Sequence, residues 1–191
     1  MFKKISCLAV IAALSSTSAL ANEGLYIGGQ LSSTKLKVAV AGESDSESFN
    51  VLSGLAGYKF NPYFALEARL GKGISDQSAT EDGFRESISV SHQNAFLAKG
   101  IVPINDVFSM YGVAGFAAVK YKFKESGDGF SASASETIDG FSAGVGAAFN
   151  LNSQLSLTIE YLQLPNKKYS VGPANIKLKT NSVTAGINYA F

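Results

Sequence analysis

Apolar and polar residues alternate with a period of two along most of the chain, most clearly in the segment 183–191. A period of two is typical of a β-strand whose two faces meet different surroundings. A strand of this kind with aromatic residues at its tip would promote edge pairing in water, whereas a barrel closed in lipid leaves no edge free. The segment therefore indicates a strand of a membrane barrel. Its apolar face carries Val183, Ala185, Ile187, Tyr189 and Phe191.

The same alternation predicts eight strands, joined by connections of two kinds. The predicted strands are residues 24–38, 50–59, 63–74, 87–101, 107–123, 137–149, 155–164 and 176–191. Three connections are short and rich in turn residues, and the others are longer and polar. Short turns at one rim and long loops at the other are the pattern of bacterial outer-membrane barrels. We therefore predict an all-β fold, an eight-stranded antiparallel transmembrane β-barrel of up-and-down topology, with extracellular long loops and periplasmic termini.

The distribution of charge between the two strand faces separates a membrane barrel from a soluble one. A soluble periplasmic binder of the lipocalin type would hold its apolar side chains inside. Here Phe64 and Leu66 lie opposite Glu67, and Leu157 lies opposite Glu160. The charged faces offer little to line an apolar pocket, so we predict that they face the interior and that the apolar faces meet lipid. Eight strands leave room only for side chains inside, which predicts a packed interior and no wide pore.

The N-terminal segment has the features of a secretory signal peptide. A basic start is followed by an apolar run over residues 5–14, about half of the ~20 apolar residues that a membrane-spanning helix needs. Small residues at Ala19 and Ala21 predict cleavage after Ala21. We therefore expect residues 1–21 to be the signal peptide and residues 22–191 to be one barrel domain. The only cysteine, Cys7, lies in the signal, so no disulfide is expected, and a net charge of +1 gives no indication of nucleic-acid binding.

Several short motifs fall at the predicted turns and strand ends. Residues 53–67 contain Asn-Pro-Tyr at a turn, residues 98–106 run from Ala-Lys into Pro-Ile and an acidic tip, and residues 185–191 end in Tyr-Ala-Phe. These segments resemble the OmpA/OmpX-like family of small outer-membrane barrels, in strand order over nearly all of residues 22–191 except the loops. The resemblance implies an outer-membrane location in a Gram-negative bacterium. It does not extend to the peptidoglycan-binding domain of OmpA, so that activity is not implied.

The resemblance also assigns roles to particular residues. Ile187, Tyr189 and Phe191 match the C-terminal signal that the outer-membrane assembly machinery recognises. Glu67, Lys99 and Glu160 match interior charged positions of the family, and Arg69 shares the face of Glu67. Charges facing lipid cost roughly 2–4 kcal/mol for Arg or Lys at the bilayer midplane, so these four should point inward and pair with one another. We predict a self-neutralising polar core; the alternative is a set of ion pairs that switch and gate a narrow water path.

Two departures from the family pattern bear on this core. Gln30 stands where the family has an interior Lys in the first strand, and Val113 where it has an interior Arg in the fifth. The interior charges must therefore be arranged differently from those of the family.

His92 is the only histidine and the only candidate for a catalytic base. Ser91 precedes it, but adjacent residues of a regular strand face opposite ways, so the two should not form a nucleophile–base pair. We therefore predict no enzymatic activity.

The loop carboxylates are interpreted as solvated charges, with weak bridging of divalent cations to lipopolysaccharide as the alternative. They are Glu43, Asp45, Glu47, Asp76, Glu81 and Asp82. We expect no metal site and no cofactor. The fourth loop is basic and carries Lys167, Lys168, Lys177 and Lys179. These lysines either contact lipopolysaccharide phosphates or keep the loop soluble.

Two predicted strands have conflicting faces. In the fifth, Val119 and Tyr121 favour one outward face while Met110 and Phe116 favour the other, and a β-bulge would reconcile them. In the eighth, Ile176 and Leu178 conflict with the odd-numbered set that begins at Val183, which predicts a switch of face before the lipid-facing band.

The strand number favours one class of function over another. We expect a monomeric structural or surface-interaction protein that stabilises the envelope and whose loops contact lipopolysaccharide, a host surface or phage. A narrow channel for small solutes is the alternative, although free diffusion needs about 16 strands. A soluble periplasmic binder is the third.

Overall fold

The computed structural model describes residues 23–40, 43–81, 84–127, 130–171 and 174–191. The regular elements in these ranges are strands: β1 (Gly24–Val40), β2 (Glu43–Asn61), β3 (Phe64–Gly73), β4 (Asp76–Glu81), β5 (Phe84–Pro103), β6 (Phe108–Gly127), β7 (Phe130–Asn150), β8 (Leu155–Gln163), β9 (Lys167–Val171) and β10 (Ala174–Ala190). In the described part of the chain, no helix has the length and apolarity needed to cross a membrane. The predicted signal peptide lies outside the described residues.

The strands form a closed antiparallel ring. The order is β1-β2-β3-β5-β6-β7-β8-β10, and β10 pairs with β1 from Tyr26↔Ala190 to Val40↔Ile176. β4 prolongs β3 beside β5, and β9 prolongs β8 beside β10. The ten strands therefore occupy eight positions around the ring, and we call each position a wall of the barrel. This confirms the predicted eight-stranded up-and-down barrel.

The three short turns share one piece of chemistry. Each contains an asparagine whose side-chain oxygen accepts hydrogen bonds from backbone N–H groups two or three residues further on. Asn61 accepts from Tyr63 at 2.9 Å, Asn105 from Phe108 at 2.7 Å and Asn152 from Leu155 at 2.7 Å. The turns lie at the same rim, which we call the short-turn end, and the opposite rim is the hairpin end.

The prediction of four long loops at the hairpin end is wrong. β2 begins at Glu43, β4 covers Asp76–Glu81, and β6 and β7 continue to Gly127 and from Phe130. Residues 41–42, 82–83, 128–129 and 172–173, which connect these strands in the sequence, lie outside the described residues. Ladder hydrogen bonds form equally well when both faces are polar, so a polar composition cannot distinguish a loop from a strand that has left the lipid.

Beyond the closed ring, the ladder separates into two four-stranded sheets. One contains β9, β10, β1 and β2, and the other β4, β5, β6 and β7. The β2–β3 ladder reaches only to Val51↔Gly73, and the β7–β8 ladder starts at Ala143↔Gln163. Among the described ladders, residues 130–142 of β7 therefore pair on one side only. A Lys167–Glu136 ion pair of 2.9 Å spans the gap between β7 and β9.

The apolar faces lie on the outside of the barrel. Phe64, Leu157 and Ile159 are 40%, 44% and 57% exposed, whereas Glu67 and Glu160 are 1% and 2% exposed. A binder of the lipocalin type would have the reverse arrangement, so that alternative is wrong. The predicted contact between lipid and the apolar strand faces agrees with this distribution.

The interior contains more apolar side chains than the predicted polar core. Towards the hairpin end the lumen is filled by a cluster of buried apolar residues. Phe49 of β2 and Tyr121 of β6 come from walls separated by two others, and their rings meet at a centroid distance of 6.0 Å. The cluster closes the lumen above the charged residues. It comprises Leu36, Phe49, Val51, Val90, Leu97, Tyr111, Val113, Ala117, Val119, Tyr121, Ile138, Leu162 and Leu164.

In the structure, the inward-facing residues of the fifth and eighth predicted strands stay on one face along each strand. Along β6 the odd-numbered residues, including Val119 and Tyr121, point inward, while Met110 points outward. β6 pairs with β7 without a register shift, and the bulge lies in β5, between Val90 and His92. Along β10 Leu178 packs inward against the apolar cluster, so the predicted reversal before Val183 is wrong. The side chain of Ile176 lies outside the description.

Candidate functional site

The interior charge network is formed by the four charged residues that the sequence singled out. Arg69 donates from Nη1 and Nη2 to the two carboxylate oxygens of Glu160, at 2.6 and 2.9 Å, and from Nε to Oε2 of Glu67 at 2.9 Å. Lys99 Nζ donates to Oε1 of Glu67 at 2.8 Å, and the Tyr26 hydroxyl donates to the same oxygen at 2.7 Å. All four charged side chains are almost fully buried, and two cations neutralise two carboxylates.

Strand geometry explains why these side chains meet. Glu67 and Arg69 are two residues apart on β3 and so share its inner face. Glu67 lies opposite Leu97 of β5, which places Lys99 at the diagonal position. β3 and β8 are four walls apart in a ring of eight, and so lie across the lumen from each other. The Arg69–Glu160 pair therefore crosses the whole barrel.

Two tyrosines complete the network, and the sequence analysis missed both. Lys99 Nζ lies 3.9 Å from the ring centroid of Tyr111 and 6.0 Å from that of Tyr26, which adds cation–π attraction. Tyr26 lies opposite Gly57 and Tyr111 opposite Gly146 in the ladders. A Cβ at either glycine would collide with the tyrosine ring, so the glycines make room for the rings. A tyrosine directly opposite a glycine on the charged face is the signal that could have identified them.

The two departures from the family pattern lie inside the barrel. Gln30 and Val113 are both buried on inner faces. Arg69 of β3 supplies the guanidinium that pairs with Glu67 and Glu160. The balance of charge is thus reached without a basic residue at either position.

A small cavity lies beside the network. A cavity next to Arg69 measures about 10 Å³, roughly the volume that one water molecule needs. On the side of the hairpin end, its neighbours are hydroxyl and amide side chains that form hydrogen bonds across the lumen. The Thr34 hydroxyl donates to the side-chain oxygen of Gln93 at 2.9 Å. The cavity is lined by Gln30, Ser32, Ser53, Arg69, Gln93, Ala95, Leu162, Leu164 and Thr184.

Ser91 and His92 are in contact, contrary to the sequence-based expectation. Ser91 Oγ lies 3.0 Å from His92 Nδ1. The bulge between Val90 and His92 breaks the regular alternation, so the argument from opposite faces does not apply here. Among the described residues no second hydrogen bond reaches the His92 ring, so no group orients the imidazole as a catalytic base requires.

Most of the described charges at the hairpin end are sorted between the two sheet faces; two carboxylates, Asp76 opposite Ser89 and Asp139 opposite Ala118, are exceptions on the outer face. Alternation and register place five carboxylates on inner faces: Asp45, Glu47, Glu86, Glu125 and Glu136. They place nine cations on outer faces: Lys35, Lys37, Lys72, Arg85, Lys120, Lys122, Lys124, Lys177 and Lys179. Among the described residues, no group of three or more His, Cys, Asp or Glu side chains is arranged to hold a metal ion. The side chains of Glu43, Glu81 and Asp82 lie outside the description.

The predicted basic loop is divided by this sorting. Lys167 lies on the inner side and pairs with Glu136, and the side chain of Lys168 is outside the description. Lys177 and Lys179 of β10 instead lie next to Lys35 and Lys37 of β1, which the sequence pattern did not single out. We call Lys35, Lys37, Lys177 and Lys179 the outer basic patch.

The three residues of the predicted assembly signal lie on the outer face at the short-turn end. Ile187, Tyr189 and Phe191 are all exposed, and the rings of Tyr189 and Phe191 meet edge-to-face at 5.3 Å. Gln154 of a short turn donates to the Tyr189 hydroxyl at 3.0 Å. The last strand is therefore bound to its neighbour's turn as well as to both adjacent walls.

The fold and its inside-out polarity define the class as a bacterial outer-membrane barrel. A sequence profile described as the outer membrane protein β-barrel domain matches residues 5–191. The chain belongs to this family, whose members reside in the Gram-negative outer membrane.

Solved structures of low sequence identity share the fold. OprG of Pseudomonas aeruginosa is similar with a TM-score of 0.58 and 14% identity, over 89% of this chain and 97% of that one. Ail, the attachment invasion locus protein of Yersinia pestis, in complex with the heparin analogue sucrose octasulfate, has a TM-score of 0.56 and 17% identity over 88% and 99%. Neisserial surface protein A has a TM-score of 0.54 and 14% identity over 88% and 97%. No curated protein sequence matches the chain.

Proposed function

We propose that this protein is a structural and surface-interaction barrel of the outer membrane, with its hairpin end outside the cell and its short-turn end in the periplasm. The observation that carries the proposal is the filled lumen. The Phe49–Tyr121 contact and the Arg69–Glu160 pair both span it, at different heights. A solute path would have to break both, which favours a role in the membrane wall over a channel. No catalytic role is assigned.

The hairpins are the parts available to partners. Beyond the lipid they carry hydroxyl groups and charges in place of an apolar face, as on the outer face of β7 at Ser131, Ser133 and Ser135. Lipopolysaccharide, a host surface or phage would meet these strands first. On the periplasmic side, we propose that residues 1–21 are removed after Ala21 and that the C-terminal strand, through Ile187, Tyr189 and Phe191, is read by the outer-membrane assembly machinery.

Epitope labelling of intact cells tests the location and the orientation together. One epitope is inserted between β6 and β7 in the sequence, after Asp128, and a matched epitope in the short turn after Asn152. The fractionated outer membrane should contain both variants, as bands whose gel mobility changes on boiling. Intact cells should bind antibody only through the hairpin epitope. Labelling of the short-turn epitope in intact cells, or recovery of the protein in the soluble periplasm, would contradict the proposal.

Cells lacking the protein test the structural role. We expect them to become more sensitive to detergent and to large antibiotics, and to recover when the full chain is supplied. An unchanged barrier with a changed uptake of small solutes would favour the channel instead.

A further inference from the structure

We propose that the outer basic patch is a binding site for the phosphate groups of lipopolysaccharide in the outer leaflet. The inference rests on the proposed orientation and identifies a lipid partner and its site. Its basis is the placement of Lys35, Lys37, Lys177 and Lys179 on two adjacent strands that close the barrel.

Like charges face each other directly in this patch. Lys37 of β1 is opposite Lys179 of β10, and Lys177 is opposite Ala39, two residues further along β1. Residues directly opposite in an antiparallel pair have Cβ atoms about 5 Å apart, and like charges at that distance destabilise the pair. A phosphate between the ammonium groups converts this repulsion into attraction.

The neighbouring strand offers hydroxyl groups and no carboxylate on the same face. Ser48 and Ser46 of β2 lie opposite Lys35 and Lys37. The carboxylates of β2, Asp45 and Glu47, lie opposite Val38 and Leu36 and so face the inner side. The patch therefore combines four cations with two hydroxyl donors, which is the chemistry of a phosphate site.

The patch also lies at the right height for a lipid headgroup. Lys35 is four residues beyond Leu31 on β1, and Lys179 is four residues beyond Val183 on β10, with both apolar residues exposed on the outer face. Four residues of a strand span about 13 Å, less when the strand is tilted. Lysine side chains extend along the surface to place their charge at the membrane boundary. The ammonium groups thus reach the layer where lipid phosphates lie.

A second group of lysines provides a matched control. Lys120, Lys122 and Lys124 follow the outer face of β6 at the same end, but no lysine lies opposite another. Their partners on β7 are Thr137, Ser135 and Ser133. Removing three charges from β6 changes the net charge as much as removing three from the patch, without altering the opposed pair.

The test compares lipopolysaccharide binding by the two triple variants, K37Q/K177Q/K179Q and K120Q/K122Q/K124Q. Each full mature chain is refolded in zwitterionic detergent, checked by heat-modifiable mobility, and titrated with purified lipopolysaccharide. We expect the patch variant to bind at least about tenfold more weakly, because it loses the opposed Lys37–Lys179 pair between which the phosphate lies. The β6 variant should bind within about twofold of the parent, because it retains that pair. Replacement of the three patch lysines by arginine should retain binding.

Two further titrations identify the ligand. Lipopolysaccharide stripped of phosphate should bind to the parent as weakly as intact lipopolysaccharide binds to the patch variant. Inorganic phosphate should compete only at far higher concentration. Equal losses in both triple variants, an unaffected patch variant, or free phosphate binding as tightly as the lipid would each overturn the proposal. If the epitopes show the hairpin end inside the cell while this binding persists, the orientation has failed and the phosphate site has not.

Discussion

Arg69 is the side chain on which the interior charges depend most. It forms hydrogen bonds to both carboxylates of the network, whereas Lys99 bonds only to Glu67. Among the described residues, Arg69 is the cation that pairs with Glu160, so without the guanidinium this carboxylate would stay buried between β7 and β10 with no cation beside it. A buried carboxylate left in this way destabilises more than the original pair stabilises.

Substitution of Arg69 by Met should lower the free energy of unfolding by about 3–5 kcal/mol, because it leaves one carboxylate uncompensated. The double variant Arg69→Met/Glu160→Met should recover part of this loss, since Glu67 keeps Lys99 and Tyr26. Urea unfolding of the barrel in lipid vesicles measures both. Lys72→Met, on the outer face of the same strand, is the control and should change stability little. A double variant no more stable than the single one would contradict this account.

Gly57 should tolerate a side chain poorly, because a Cβ there would collide with the ring of Tyr26. We expect Gly57→Ala to cost about 1–3 kcal/mol in the free energy of unfolding, as overpacking usually does. Gly54 lies on the outer face of the same strand with no atom within 4 Å of an added Cβ, so Gly54→Ala is the matched control. The urea midpoints of the two variants decide the matter; equal shifts would show that strand propensity alone is responsible.

At this scale the sequence predicted the charged residues and missed their aromatic neighbours. Alternation alone places Glu67, Arg69 and Glu160 on inner faces, so their position follows from a local rule. The contact of Tyr26 with Glu67 depends on register between walls, and register is not a local property. The same limit explains Ser91 and His92, because the bulge that joins them appears only when two strands are paired.

Among the strands, β7 is the most asymmetric. Its residues 143–150 pair with both β6 and β8, whereas residues 130–142 pair only with β6. Every second backbone amide of the upper part is therefore directed away from the ladder. The sequence could not indicate this, because Ser- and Ala-rich alternation looks the same in a loop tip, an edge strand and a paired strand.

Hydrogen exchange should reveal this asymmetry. In the refolded barrel, amides of residues 143–150 should be strongly protected, and alternate amides of residues 130–142 should exchange much faster, because they lack a partner strand. Residue-resolved NMR exchange in detergent or nanodiscs measures it, and β6 serves as the internal control, since it is paired with both β5 and β7 from Ser109 to Ser126. Uniform protection along β7 would mean that its edge is covered.

Taken as one object, the barrel is closed at two heights by different chemistry. The ion pairs fill the lumen in one layer, and the apolar cluster around Phe49 and Tyr121 fills it in another. The strand count predicted that the lumen would be filled. It did not predict that an apolar cluster would supply part of the filling, because Val119 and Tyr121 look like lipid-facing residues when only their own strand is considered.

The refolded protein should therefore show no discrete conductance in planar lipid bilayers. The variant Phe49→Ala should also remain silent, because the Arg69–Glu160 pair still crosses the lumen beneath it. Single-channel recording at physiological salt tests both. Regular current steps from the unmodified protein would contradict the proposed structural role.

The seam between the first and last strands has a consequence for biogenesis. Tyr26 meets Ala190, so the cylinder cannot be completed until nearly the entire polypeptide has arrived at the bilayer. Until then the growing sheet has two unpaired edge strands. Arg69 also lacks one of its ion-pair partners, because Glu160 lies 91 positions further along the chain. Loop closure over such spans is slow, and hydrocarbon tolerates neither bare amides nor lone charges in the interval. In the cell, a catalyst that holds the nascent sheet until its two edges meet would shorten this interval.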